Sequence, residues 1–325
     1  MSHNMRVKQA LNNVVRDLKG EKFKIVVNTD RRSYCFNIIA YNEEYSEKVL
    51  IVKYFKNIDS CDDSVASELI KLAYSINGVP VVIGESAKNE RLIDYVIYRR
   101  SGIIALSPKT FNALISNERE IPHVYAYRGG LYVKINGEKL RKAREKAGFS
   151  RGELAEKVGV SRKTIYSYEN DEMDATLDVA IKLEEVLNEP LVEVFHLTEC
   201  FKVPLAKIDM GTQVSDPLLN KLMLIMKSLG FKFVRLKRMP FEVAGRNDRN
   251  RTKLLIKSYK RRNRDMRDLR ISLKIAEVLG SNIIVLAENQ RVKRELEFEK
   301  SLVITPNELR DMEKNPDSFM DEIAR

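Results

Sequence analysis

The chain has 325 residues and a mass of 37.5 kDa, too long for one ordinary domain and enough for two or three. It is 44% hydrophobic and 32% charged with 14 Gly and 9 Pro, which excludes a wholly disordered or fibrous chain. Its 57 Lys and Arg against 46 Asp and Glu leave a formal charge of +11, which points to a polyanionic partner without separating DNA from RNA or anionic lipid.

Taken in chain order, a helix from Val7 to Leu18 precedes strands in FKIVV and YCFNIIA. A strand KVLIVKYFK, a helix ending at Gly78, a strand VPVVIG and the strand-then-helix GIIALSPKTFNAL follow. Residues 123–136, HVYAYRGGLYVKIN, alternate in two arms around Arg128-Gly129-Gly130, the pattern of a β-hairpin. From Asn136-Gly137 the pattern turns helical. Leu140, Ala143 and Ala147 mark a first helix that Gly148 stops. Ser150 caps a second, with Glu153 placed for a capping box, and Gly159-Val160 forms a tight turn. Ser161 caps a third helix with Ile165 and Tyr168 inside, ending at Asn170-Asp171. Thr176 caps a fourth through Leu187, and Pro190 is expected to open a short fifth.

The last third repeats the order of the first. A helix from Leu218 to Leu229 precedes FKFVRL and FEVAG, then TKLLIKSYK, a helix ending at Gly280, a strand NIIVLA and SLVITPNEL. Lys53 matches Lys257, Gly78 matches Gly280, and Ser107-Pro108 matches Thr305-Pro306, so an internal duplication is expected around a helical insert. Cys35, Cys61 and Cys200 form no CxxC pair, and His3, His123 and His196 are as scattered. Neither a disulfide framework nor a metal site is expected, and no cofactor is implied. The N-terminal residues hold no apolar signal-like core, and no stretch approaches about 18 uninterrupted apolar residues. A soluble, cytoplasmic chain without a membrane partner is the expectation.

Two helices crossing over a short turn need a small residue at the crossing, a residue tolerant of positive φ in the turn and an aliphatic anchor in the second helix. With Arg151 as the first position, Ala155, Gly159 and Ile165 fall fifth, ninth and fifteenth, and Leu154, Val158 and Val160 fill the core. This stretch resembles the Cro/repressor-type (XRE-family) helix-turn-helix from about Gly137 to Phe195, although Glu184 stands where that family usually keeps a smaller apolar residue. The resemblance implies that the helix starting at Ser161 enters the major groove of double-stranded DNA. Arg162 and Lys163 would then reach guanine or phosphate, and Thr164, Tyr166 and Ser167 would add hydrogen bonds or a thymine-methyl contact. Arg151 falls where the family contacts backbone phosphate, and Ser161 where the helix begins.

In both flanks, strand, strand, helix, strand with a lysine on the second strand resembles the PD-(D/E)xK nuclease-like superfamily. The resemblance implies a divalent metal held by an acid on one strand and a (D/E)xK on the next. Here the first flank offers Asn37 with Ile51-Val52-Lys53, and the second Glu242 with Leu255-Ile256-Lys257. An aliphatic residue cannot ligate a cation, so no catalytic residues are assigned and the flanks are expected to be inactive.

Residues 231–270 hold fifteen Lys and Arg against four Asp and Glu, whereas residues 137–199 hold ten against fourteen. Part of the basic run is the outer face of a helix whose inner stripe is Met266, Leu269, Leu273 and Ala276. Arg246, Arg249, Arg251, Arg261 and Arg262 are candidate phosphate contacts, to DNA or RNA.

The domain plan is thus an α+β multidomain chain: 1–122 nuclease-like α/β, 123–136 a hairpin connector, 137–199 an all-α five-helix DNA-binding domain, and 200–325 a second nuclease-like α/β domain. As a whole it resembles archaeal helix-turn-helix transcriptional regulators of this length. Such a regulator is expected to bind a near-palindromic operator as a homodimer, with the flanks supplying the interface. A metal-dependent nuclease targeted by its helix-turn-helix, and an RNA- or protein-interaction module, are the competing readings. No effector ligand can be named.

Overall fold

The computed structural model describes residues 3–28, 34–116, 120–199, 201, 216–248, 252–260, 263–296 and 301–314. The chain divides into two units. One gathers Met1–Tyr54, Cys61–Val82 and Phe201–Arg325, and the other Phe55–Ser60 and Ile83–Cys200. No helix among the described residues is long and apolar enough to cross a membrane.

The first unit begins with α1 (His3–Gly20), β1 (Lys24–Val27), β2 (Ile38–Tyr41), β3 (Val49–Asn57), α2 (Asp63–Ile76) and β4 (Gly78–Ala87), with β1, β2, β3 and β4 side by side. β1 and β2 are antiparallel, as are β2 and β3 with Ile39 opposite Ile51. Val49, Leu50, Ile51 and Val52 are wholly buried, as a strand covered on both faces requires. Asp62 caps α2 by accepting from the Val65 N–H.

The second unit takes up the chain from Ile83 within β4. It contains β5 (Glu90–Arg91), β6 (Tyr98–Arg100), β7 (Ile103–Leu106) and α3 (Pro108–Ile115), with Ser107 capping α3. The hairpin of β8 (Val124–Tyr127) and β9 (Gly130–Val133) leads into α4 (Gly137–Lys146), α5 (Arg151–Val158) and α6 (Arg162–Glu169). β10 (Ala175–Thr176) and α7 (Leu177–Leu187) complete it. β10 pairs with β9, Thr176 opposite Tyr132, so the helical segment is not all-α: it contributes a strand to the hairpin's sheet. Val124 and Val133 of the hairpin share one core with Leu140, Leu154, Ile165 and Leu183 of the helices.

The expected fifth helix is absent. Residues 190–195 run extended, with the Asn136 N–H donating to the Leu191 carbonyl and the Phe195 N–H to the Ile121 carbonyl. The reason is backbone pairing: Val192 bridges Ile135 and Val194 bridges Pro122, with the Glu193 N–H donating to the Lys134 carbonyl. Glu184 Oε1 adds to this by accepting from the backbone N–H groups of Leu191 (2.6 Å) and Val192 (3.0 Å), so the carboxylate that departs from the family pattern helps to hold the returning strand.

The first unit resumes with α8 (Pro217–Ser228), β11 (Lys232–Arg235), β12 (Val243–Asn247), β13 (Thr252–Tyr259) and α9 (Asn263–Leu279), followed by β14 (Asn282–Ala287), α10 (Gln290–Leu296), β15 (Leu302–Ile304) and α11 (Pro306–Lys314). The sheet runs β11-β12-β13-β14-β15, antiparallel for the first two pairs and parallel for the last two. Its core joins Leu219, Leu222 and Met226 of α8 to Phe231, Val243, Ile256, Ile284 and Leu309. In α9, Leu269 and Ala276 are buried and Met266 and Leu273 half-buried, the stripe expected, while Arg267 and Arg270 are exposed.

The paired glycines are not equivalent. Gly280 takes a left-handed φ of 57° after α9, whereas Asn77 fills that position after α2, at φ 54°. Gly78 instead opens β4, where an added Cβ would lie 2.7 Å from Cδ1 of Ile51. Close packing, not turn geometry, requires it.

Within this unit the two halves interlock. α2 packs on β11 and β12, and α9 packs on β1 and β2. Buried Glu68 of α2 accepts from the backbone N–H groups of Lys237 (2.7 Å) and Arg238 (3.1 Å), and buried Asp268 of α9 accepts from the Tyr34 hydroxyl. The Cys35 N–H donates to the Arg238 carbonyl, and Cys35 Sγ lies 3.5 Å from Met239 Sδ. Burial there pushes the Cys35 thiol up to about 12.

Candidate nucleic-acid interface

The two helices of the motif are set by their ends. At α5, Ser150 Oγ accepts from the Glu153 N–H while the Glu153 carboxylate accepts from the Ser150 N–H, the reciprocal box the spacing predicts. Those hydrogen bonds hold the Glu153 carboxyl below the usual range. Gly159 ends α5 at φ 80°, its N–H on the Ala155 carbonyl, so the chain turns within two residues. Ser161 then caps α6 through the Thr164 N–H at 3.0 Å and bonds the Thr164 hydroxyl.

The outer surface of α6 follows from this register. Ile165 and Tyr168 are buried, and Arg162, Lys163 and Tyr166 are exposed. Neither Arg162 nor Lys163 forms an ion pair with any described residue. Thr164 and Ser167 are half-buried, and the Ser167 hydroxyl donates to Glu172 at 3.1 Å.

Arg151 is held, not loose. Its Nε donates to Glu169 Oε2 at 2.7 Å and its guanidinium lies 5.4 Å over the Tyr166 ring. The other oxygen of Glu169 accepts from Arg144 Nε, and Arg144 also bonds the Phe149 carbonyl. Arg144, Glu145, Ser150, Arg151, Gly152 and Arg162 surround an open cavity of about 370 Å³ at the N-terminus of α5. The opening brings together three guanidinium groups and the Glu145 carboxylate, with Arg144 and Arg151 already paired to Glu169.

Sequence reasoning missed Arg144 and Glu169, although a signal exists. Arg144 follows Leu140 by four residues and Glu169 follows Ile165 by four, so each puts a charge at core spacing. Gly137 sits against this pair's helix: a Cβ there would lie 2.6 Å from the Tyr168 and Glu169 carbonyl oxygens.

The nuclease-like positions are also laid out by the sheets. The Asn37 N–H donates to the Val52 carbonyl, and Asn37 Oδ1 accepts from the Tyr54 N–H at 2.9 Å. The Glu242 N–H donates to the Ile256 carbonyl, and Glu242 Oε2 accepts from the Ser258 N–H at 2.9 Å. Relative to Lys53 and Lys257 these are the same bonds. Lys53 donates to the Tyr34 carbonyl, and burial lowers its pKa. Lys257 is buried and pairs with Glu242 Oε1 at 3.1 Å. The position two residues before each lysine is buried aliphatic, Ile51 or Leu255. The divalent metal this fold implies does not fit these residues, and no group of three potential ligands is assembled among the described residues.

Of the basic stretch, Arg246 bonds the Tyr74 carbonyl at 3.0 Å, lies 4.2 Å over the Tyr74 ring and pairs with Asp248. Arg249, Arg251, Arg261 and Arg262 lie outside the described residues.

Comparison with known proteins gives two domain matches, a PD-(D/E)XK superfamily domain over residues 7–121 and a helix-turn-helix over residues 140–194. A "Putative HTH-type transcriptional regulatory protein" of Thermococcus gammatolerans is 37% identical over 72% of this chain and 72% of its own length. A protein of Thermococcus kodakarensis with the same description is 34% identical over 95% and 92%, and one of Methanocaldococcus jannaschii 31% over 89% of each. Among solved structures, a chain of a SinR protein/SinI protein complex matches 29% of this chain and 95% of itself at 20% identity, with a TM-score of 0.16. On its relatives, this chain belongs to the archaeal family of HTH-type transcriptional regulatory proteins.

Proposed function

We propose that the protein is a sequence-specific regulator of transcription that binds double-stranded DNA through α6. The observation that carries this is the start of α6: Arg162 and Lys163 stand exposed and outside any ion pair with described residues, on a helix whose opposite face is locked into the core. Arg162, Lys163, Thr164, Tyr166 and Ser167 line the groove-facing side, with Ser161 at its start, and Arg151 steadies a phosphate beside the cavity at α5. Glu169 is the positioning residue for Arg151.

One chain offers one reading helix, so a near-palindromic operator calls for a homodimer. The dimer contact would draw on the surfaces that the flanks leave exposed, the outer face of α9 among them. We read the two nuclease-like sheets as duplicated copies, since Asn37 and Glu242 make matching bonds about their lysines, and as non-catalytic. Such a protein would act in the cytoplasm on chromosomal DNA. Selection of bound duplexes from a random pool tests the function: a consensus that relaxes at one base position with Arg162→Ala supports it, and no enrichment by the intact chain overturns it.

A further inference from the structure

We propose that the tip of the β8–β9 hairpin is a second contact to the same duplex, laid on the sugar-phosphate backbone beside the site read by α6. The inference rests on the DNA-binding reading above and deepens it.

The hairpin is more than a connector. Its inner face puts Val124 and Val133 into the core of the motif, with Ala126 and Leu131 packed against that core. β10, which begins six residues after α6 ends, pairs with β9 at Val133 and Tyr132. On the other side, Ile97 bridges to Tyr125, exchanging backbone bonds with Val124 and Ala126. Hairpin and reading helix therefore move as one body. The last rung, Tyr127 opposite Gly130, and the turn at Arg128 lie beyond the β10 pairing, with β6 running alongside β8 on the other side.

The outer face is chemically distinct. Tyr125 and Tyr132 stack at 6.0 Å between ring centroids, and Tyr127 meets Tyr132 edge-on at 6.3 Å. Tyr127 is 71% exposed. Arg128 in the turn and Arg99 on β6 are exposed and form no ion pair with described residues, and no Asp or Glu occurs between Glu120 and Glu138. Tyrosine hydroxyls and guanidinium groups are donors suited to phosphate oxygens. The nearby acids lie toward the base, each already an acceptor: Asp171 from the Gly137 N–H, Glu172 from Ser167, Asp174 from the Tyr125 hydroxyl. That distribution places the contact at the tip.

A single-stranded ligand fits less well. Tyr132 is flanked by two rings and the Tyr125 hydroxyl is tied, so only Tyr127 offers an open ring for a base, too short a platform for successive stacking.

The test uses the full chain and two duplexes built on the selected sequence, one trimmed to the bases α6 reads and one extended by about ten base pairs, a helical turn, on each side. Tyr127→Ala with Arg128→Ala should bind the extended duplex about tenfold more weakly, with a salt slope shallower by about 1, while the trimmed duplex and the sequence preference are unaffected. Arg162→Ala should instead lose preference on both. A photo-reactive p-benzoylphenylalanine in place of Tyr127 should crosslink to the extended duplex, a readout that does not depend on the double variant's stability. Unchanged affinity and slope without a crosslink, or a larger loss on single strands of the same sequence, would overturn the hairpin contact and leave the α6 reading standing. Failure of the intact chain to select any duplex would remove both.

Discussion

Glu169 ties α6 to α4 and α5 through Arg144 and Arg151. Its side chain is 1% exposed between Arg144 and Arg151. Burial works against its charge, but the hydrogen bonds and charges of the two arginines outweigh that and hold the carboxyl below its ordinary value of 4.5. A carboxyl depressed in the folded state adds stability above its unfolded pKa and loses it as pH falls through the folded value. Glu169→Gln should therefore cost about 3 kcal/mol near neutral pH, the effect of removing one partner of a buried ion pair. The gap to the wild type should narrow as pH drops below 4.5, a contrast that urea unfolding at two pH values would measure. Equal stability at pH 7 would mean the bridge does not order the surface. The exposed positions of α6 were legible in sequence because helix periodicity and two serine caps set their register. The bridge was not, since a charge at core spacing declares its partner only when two helices have crossed.

At the scale of elements, segment 190–195 shows where local pattern gives way to tertiary context. Pro190 followed by Leu191, Val192 and Val194 suits a helix start as well as a strand, and short apolar runs do not separate the two. The bridges of Val192 to Ile135 and of Val194 to Pro122 decide it, and Glu184, one turn from the end of α7, adds two accepted backbone N–H bonds. Glu184→Ala should destabilise the helix-turn-helix by about 1–3 kcal/mol through those two unmet donors and speed amide exchange at Leu191 and Val192. Protection unchanged from the wild type would assign the extended segment to its strand-like bridges alone. β10 escaped notice for a similar reason, since a two-residue strand has no periodicity of its own. The capping box and the Gly159 turn, by contrast, are wholly local and stood in the sequence.

For the whole molecule, Asn37 and Glu242 make matching bonds to the residues on either side of Lys53 and Lys257, while the two lysines themselves find different partners. What the sequence could not show is that α2 packs on β11 and β12, and α9 on β1 and β2 as well as on β13 and β14, because spacing carries no information about which strands a helix packs on. The charge surplus reads differently too. Lys257 is buried, Lys253 is half-buried with its pKa lowered by burial, and Arg246 is stacked on Tyr74, so part of the basic stretch is turned inward. Glu242→Gln separates the structural from the catalytic view. Weakening the pair between buried Lys257 and partly exposed Glu242 should cost about 1 kcal/mol in thermal or urea unfolding. Plasmid DNA with Mg²⁺ should stay uncut by wild type and variant alike.

The most direct measurement of the central claim is selection of duplexes from a random pool by the intact chain, repeated with Arg162→Ala. The account predicts a defined, near-palindromic consensus whose preference at one position in each half-site relaxes in the variant, while residual affinity persists through phosphate contacts. Equal retention of all duplexes, with no consensus and no difference between wild type and variant, would contradict it.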